Sequence, residues 1–344
     1  MAELKQYRNE SILRDASLYF LGAPTMLLFG PPGSGKTFLV RHLARQHGWR
    51  IRMVTCKESM RDEDFLGVLL LDGGSTRWVD GPLAQAFRGA AEGEKVILFL
   101  DEVNRMPPKQ LNILIEAIND YDDEHFVLYN HLTGETLQAP KGNLKFVAAA
   151  NIGQIGTSDL PEALLDRFVI HLHVPYPAPE EERKILADWG LEEHEAKFLV
   201  DFALATRELY AKGDLDFPLS TRMLVRVAQG LATWEEEAKR SGKSEGFSPS
   251  KRISAICKFL EGIFPYLAGG TAGNPEWSER TEALRQMMLT MLAELQTPKE
   301  APRGKPSHER SKHDTTDVTR ASDAKRSPGR TARKRARRGP DLTF

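Results

Sequence analysis

The chain has 344 residues, 41% hydrophobic and 28% charged, enough for one large α/β domain and a smaller second one, each with its own core. No apolar run approaches a membrane span, and the opening MAELKQYRNES has neither the basic region nor the apolar stretch of a secretory signal, so the expectation is a cytoplasmic protein without membrane contact, with Cys56 and Cys257 as reduced thiols. The net charge of −1 hides an asymmetry: residues 298–344 hold 14 Lys and Arg against 6 Asp and Glu, a net +8, which leaves −9 on the rest.

The first half alternates strand-like apolar runs with helical stretches. Thr25–Phe29 is the first strand. Gly30-Pro31-Pro32-Gly33-Ser34-Gly35-Lys36-Thr37 follows it and fits G-x-x-x-x-G-K-[ST], and a helix over Thr37–Gln46 comes next. That strand–loop–helix order is what a phosphate cradle needs. Glycines let backbone N–H groups turn inward, and the helix N-terminus adds its dipole. Gly30, Pro31, Gly33, Ser34, Gly35, Lys36, Thr37 and Phe38 are the candidate nucleotide contacts, with Lys36 on the β- and γ-phosphates.

Ile51–Thr55 is the second strand. Phe65–Leu71, Asp72-Gly73-Gly74 and Arg77–Val79 read as a hairpin. Val96–Leu100 is the third strand, five apolar residues suited to the middle of a sheet, and Asp101 and Glu102 sit at its carboxyl end, where parallel sheets bind ligands. Asp101 and the Thr37 hydroxyl are the candidate Mg²⁺ ligands, and Glu102 the general base for a water. Phe126–Asn130 and Glu135–Gln138 flank His131–Gly134 as a second hairpin. Lys145–Ala150 is a fourth strand ending in Asn151, an amide able to orient the water or sense the γ-phosphate, and Val169–Val174 is the fifth.

From Pro179 the pattern is helical only: Glu180–Trp189, Glu193–Tyr210, Thr221–Lys239 capped by Ser220, Ile253–Phe264, and about Pro275–Gln296. In the last helix Leu284, Met288, Met291, Leu292 and Leu295 form a stripe that reads as core packing. After it, aromatics and periodicity vanish. The expected organisation is an α/β P-loop domain over 1–176 with a five-stranded parallel sheet, a small all-helical lid over 177–297, and a disordered basic tail over 298–344.

These segments resemble the AAA+ family and, within it, the MoxR branch. The resemblance spans about residues 20–265 and is carried by Gly30–Thr37, Phe99–Lys109 (FLDEVNRMPPK), Phe146–Ile152 (FVAAANI), Leu160–Phe168 (LPEALLDRF) and Val174–Leu186 (VPYPAPEEERKIL). Asp72–Leu83 looks like the CbbQ and NorQ subgroup, whose members activate rubisco or nitric oxide reductase. The resemblance implies an ATP and Mg²⁺-dependent ATPase that assembles as a homo-oligomer, a hexameric ring by family expectation. Arg167 matches the arginine finger, which acts on a neighbouring subunit's nucleotide, and Arg222 matches sensor 2 in the lid. Asn104 and Arg105 match without a sharp role. In related rings the hairpins line the pore, which makes His125, Tyr129 and His131 possible client contacts.

Three functions follow from these readings. The first is a ring ATPase that remodels or activates a client protein, with a partner carrying a von Willebrand factor A domain. The alternative is a motor subunit of a nucleic-acid-acting complex, like the McrB branch. That branch shares Asp-Glu-x-Asn-Arg and favours GTP, and Lys325–Arg338 holds 8 basic and no acidic residues for phosphate contacts. The third is a nucleotide-switched assembly platform with slow hydrolysis.

Overall fold

In the computed structural model, residues 7–119, 122–151, 160–241, 248–269 and 275–296 are described. They begin with α1 (Glu10–Gly22), whose first turn is capped by the Asn9 side chain accepting from the Ile12 N–H at 3.2 Å. The elements β1 (Thr25–Gly30), α2 (Lys36–His47), β2 (Arg50–Thr55), α3 (Asp62–Leu66), β3 (Gly67–Asp72), β4 (Ser75–Asp80), α4 (Pro82–Ala91) and β5 (Val96–Asp101) follow. Beyond a 3₁₀ turn at Val103–Arg105 come α5 (Pro108–Ala117), β6 (His125–Asn130), β7 (Glu135–Pro140), β8 (Leu144–Asn151), α6 (Glu162–Arg167) and β9 (Ile170–His173). The rest is helical: α7 (Pro179–Asp188), α8 (Glu193–Lys212), α9 (Thr221–Arg240), α10 (Pro249–Glu261), α11 (Phe264–Leu267) and α12 (Pro275–Gln296).

Five strands form one parallel sheet in the order β2-β5-β8-β1-β9. The expected run at Val96–Leu100 is fully buried in β5, and all of β8 is buried, because helices cover both faces of the central strands. The edge strands β2 and β9 each bury a single residue, Val54 and Leu172, and leave the rest partly or fully exposed. One face packs Phe65, Phe87, Leu98, Phe126 and Phe146, the last in edge-to-face contact with Phe87 and Phe126. The other packs Phe20, Leu28, Leu39, Ile97 and Phe99 under α1 and α2.

Register places the site. Gly30 lies beside Asn151 and Asp101 beside Ala149 and Thr55, so the carboxyl ends of β1, β2, β5 and β8 finish at one edge.

The hairpins are β3–β4 and β6–β7. The first differs from expectation at its start. Phe65 and Leu66 are not strand but the end of α3, both fully buried, and the strand begins at Gly67. Gly67 has φ +134°, and a Cβ there would meet the Val79 carbonyl at 2.5 Å, so only glycine lets the chain leave the core and turn into the ribbon. Val68, Leu69, Leu70 and Leu71 then face solvent. Arg88 on α4 ties the hairpins together, pairing with Asp80 at 2.6 Å and Glu135 at 2.5 Å.

The helices after Pro179 have their own core, built on Phe198, Phe202, Leu224, Ile256 and Phe264. Leu284 and Met288 of the Met-rich stripe are buried in it, with Met291, Leu292 and Leu295 packed against it. Ser220 caps α9 as expected, and the helix expected to reach Phe264 breaks after Glu261 into α10 and α11. Two ion-pair hubs are buried there. Glu195 accepts from Arg252 at 2.6 and 2.8 Å, and Glu182 accepts from Arg207 at 2.8 and 2.9 Å. No helix among the described residues is long and apolar enough to cross a membrane. Both cysteines are free thiols, Cys56 buried. The tail expected over 298–344 lies outside the described residues.

Candidate functional site

Where β1 ends, Gly33 and Gly35 adopt positive φ and turn the chain into α2. Lys36 heads α2 with only 6% of its surface exposed, and its ammonium donates to the carbonyls of Gly30 at 3.0 Å and Pro31 at 2.9 Å. Burial lowers its pKa to about 8, although the Asp101 charge works in the other direction. Thr37 Oγ1 donates to Asp101 Oδ2 at 2.9 Å, which joins the helix start to the end of β5. Ser34 Oγ is buried without a hydrogen-bond partner among the described residues, in a loop shaped to surround an anion.

Glu102 has φ +58°, the one positive value for a non-glycine among the described residues. A left-handed backbone directly after β5 is strained for a residue with a side chain, and strain of this kind gathers at functional sites. Its Oε2 accepts from Arg105 Nη1 at 3.0 Å and its Oε1 from Asn151 Nδ2 at 3.5 Å. Asn104 Nδ2 donates to the Asn151 carbonyl at 2.8 Å and so holds the end of β8 in place.

A cavity of about 830 Å³ opens over this edge. It is lined by Gly33–Phe38, Asp101, Glu102 and Asn151 on one side and by Arg222 on the other. Its size is in the range of nucleotide and cofactor pockets. Gly30 and Pro31, expected among the nucleotide contacts, do not line it, because their carbonyls are turned to accept from Lys36. The Arg222 backbone N–H donates to the Gly33 carbonyl at 3.3 Å, and its side chain has no hydrogen-bond or ion-pair partner among the described residues. Arg167 is elsewhere: its guanidinium donates to the carbonyls of Ile115 at 3.0 Å and Ala163 at 2.9 Å, outside the cavity of its own chain.

The donor set fits a hard cation. The Thr37 and Asp101 oxygens are adjacent, and among the described residues no cluster of three His, Cys, Asp or Glu could bind a metal alone. A cation held there would take its other ligands from phosphate and water, the coordination Mg²⁺ prefers.

Several cavity residues were absent from the sequence reading. Tyr7 stacks on Phe38 with centroids 6.1 Å apart, and Arg8 forks onto Asp188 of α7 at 2.8 and 2.9 Å. Trp189 and Tyr266 also line the cavity, and no short motif announces any of the four. One signal was available. Arg222, Val225, Arg226 and Gln229 recur at one-face helical spacing, and all four line the cavity. Of the residues offered as possible client contacts, Tyr129 is exposed, His125 faces Asp122 at 3.5 Å, and His131 bonds Asp62 at 3.1 Å.

Comparison with known proteins gives consistent neighbours. Residues 25–168 match the AAA domain (dynein-related subfamily), and residues 181–235 match the CbbQ/NirQ/NorQ C-terminal family. The chain is 36% identical over 213 residues to Protein CbbQ of Hydrogenophilus thermoluteolus, covering 60% of this chain and 75% of that protein. It is 36% identical over 206 residues to the denitrification regulatory protein NirQ of Pseudomonas aeruginosa, covering 59% and 75%. Protein NorQ of Paracoccus denitrificans is 34% identical over 205 residues, covering 59% and 72%. A solved mutant of Thermotoga maritima RuvB aligns over 86% of this chain and 89% of its own at 16% identity and a TM-score of 0.44.

Proposed function

We propose that this chain, which belongs to the CbbQ/NirQ/NorQ family of AAA ATPases in the MoxR branch, couples Mg²⁺-dependent ATP hydrolysis in a ring of its own copies to the activation of a client protein. The observation that carries the reading is the joined set at the sheet edge: Lys36 buried in the phosphate loop, Thr37 bonded to Asp101, and Glu102 beside Asn151.

In this reading the loop N–H groups and the Lys36 ammonium bind the β- and γ-phosphate oxygens. Thr37 and Asp101 would hold Mg²⁺, which supplies charge screening on those oxygens. Asn151 orients a water in line with the γ-phosphorus, and Glu102 accepts its proton as the new P–O bond forms. The bond to the β-phosphate oxygen breaks, and ADP and inorganic phosphate leave. Arg222 meets the phosphates from the lid side. Arg167 of a second copy completes the charge, a reading supported by its absence from the lining of its own cavity, and ties hydrolysis to assembly. A hexamer, a cytoplasmic location and a partner with a von Willebrand factor A domain belong to the same reading. The client class is a metalloenzyme. The nucleic-acid motor rests on the basic tail and on the Asp-Glu-x-Asn-Arg stretch it shares with the McrB branch, whereas the helical segment 181–235 matches the CbbQ/NirQ/NorQ family and favours the client-activating reading.

Two measurements test this. Glu102→Gln should bind ATP, stall, and retain its client, so it is pulled down from its native host in ATP and nuclease beside Lys36→Ala. Enrichment of a metalloenzyme or a von Willebrand factor A protein supports the reading, and nuclease-sensitive or nuclease-enzyme partners replace it with the motor. Specific ATPase activity should also fall on dilution from micromolar to nanomolar; a flat profile rejects the shared site.

A further inference from the structure

The phosphate loop and the helical region are joined by a closed polar path that no catalytic role requires. Tyr176, on the connector after β9, donates from Oη to the Pro32 carbonyl at 3.1 Å. Its ring lies under the Arg207 guanidinium, 4.0 Å from the centroid. Arg207 forks onto Glu182 at 2.8 and 2.9 Å and donates through Nε to the Leu219 carbonyl at 3.0 Å. Glu182, fully buried, also accepts from the Thr221 hydroxyl. Thr221 stands between Ser220 and Arg222. A Cβ placed on Gly33 would lie 2.7 Å from Ser220 Oγ, and the Arg222 N–H donates to the Gly33 carbonyl at 3.3 Å. The path leaves the phosphate loop at Pro32 and returns to it at Gly33.

We infer that Tyr176, Arg207 and Glu182 are positioning residues that fix where Arg222 stands over the phosphate loop. A carboxylate with no exposed surface has no water to replace a lost partner, so the fork and the Thr221 bond resist being broken singly. A planar guanidinium pinned between a ring, a carbonyl and a carboxylate has no slack. Thr221 is held by this hub from one side while Gly33 holds the next residue from the other. A shift of Pro32 as phosphates enter the loop is transmitted through Tyr176 to the first turn of α9. The result is a mechanical link between phosphate occupancy and the lid arginine. The inference rests on the reading that the cavity takes a nucleoside triphosphate and that Arg222 meets it.

The test is a double-mutant cycle on the full chain, titrating Mg·ATP by calorimetry. Tyr176→Phe removes one hydroxyl and keeps the ring beneath Arg207, so thermal unfolding should be nearly unchanged. Loss of one positioning hydrogen bond should weaken ATP binding roughly three- to tenfold. In an Arg222→Ala background the same change should do nothing, because the residue it positions is gone. Glu182→Gln should show the same dependence on Arg222, with a lowered unfolding temperature because Arg207 loses its charge partner. Equal losses in both backgrounds, or no loss in the wild-type background, would overturn the link. If Arg222→Ala alone leaves ATP affinity unchanged, the inference falls together with the reading of Arg222 beneath it.

Discussion

Lys36 offers a direct test of the phosphate site through pH. Burial brings its pKa from 10.5 to about 8 in the free protein. A bound triphosphate places negative charge against the ammonium and raises that value again. Binding above pH 8 must then take up a proton, so affinity falls as pH rises, by up to tenfold per unit. With a free pKa of about 8, the charged fraction drops from roughly three quarters at pH 7.5 to about one tenth at pH 9, which predicts an affinity loss of about eightfold. The same shift has the opposite sign for folding. Between pH 8 and 10.5 the unfolded chain holds the proton that the folded chain has released, so Lys36 favours the folded state more as pH rises, and lost affinity there is not lost fold. Lys145, lowered to about 8 chiefly by burial, acts the same way on stability and lies outside the cavity. The assay is calorimetry with Mg·ATP in two buffers of different ionisation enthalpy, so that proton uptake is counted as well as affinity. Constant affinity from pH 7.5 to 9.5 with no proton uptake would refute the argument that a desolvated Lys36 receives the phosphates.

Three further outcomes follow from named contacts. Arg167→Ala and Glu102→Gln should each abolish turnover alone, yet a mixture of the two should regain activity, since some interfaces then pair an intact Glu102 with an intact Arg167; an inactive mixture argues against a shared site. Gly33→Ala puts a Cβ 2.7 Å from Ser220 Oγ at φ +73°, and left-handed strain of about 1–2 kcal/mol plus that overlap should weaken ATP binding at least tenfold while circular dichroism stays unchanged. Glu195 has no exposed surface: burial works to raise its pKa, but hydrogen bonds from Arg252 and the Glu192 N–H leave it below the ordinary 4.5. Its stabilisation is therefore present above pH 4.5 and lost as pH falls through the lower folded value. Glu195→Ala should cost about 1.5–3 kcal/mol at neutral pH, since Arg252 loses its fork but keeps Glu235 and the Gly190 carbonyl, read as an early unfolding step of the helical region in a chemical denaturation curve.

How much of this was legible in the chain depends on the range over which each feature is determined. Gly30–Thr37 announces itself because the backbone turns and the helix start lie within eight consecutive residues. The strand ending in Asp101 and Glu102 is legible for a similar reason: a continuous apolar run is enough to mark a strand covered on both faces. The Met288 stripe followed from helical period alone. Tertiary structure decided the rest. Phe65 and Leu66 read as strand by composition, yet the space beside Leu83 and Phe87 drew them into the core as helix. Arg8 meets Asp188 across 180 residues, and Glu182 gathers Arg207 and Thr221 from 25 and 39 residues away. Propensity acts between near neighbours, and a charged side chain carries no mark of its distant partner. Such partners are chosen only when packing excludes water and leaves one geometry in which every buried charge is answered.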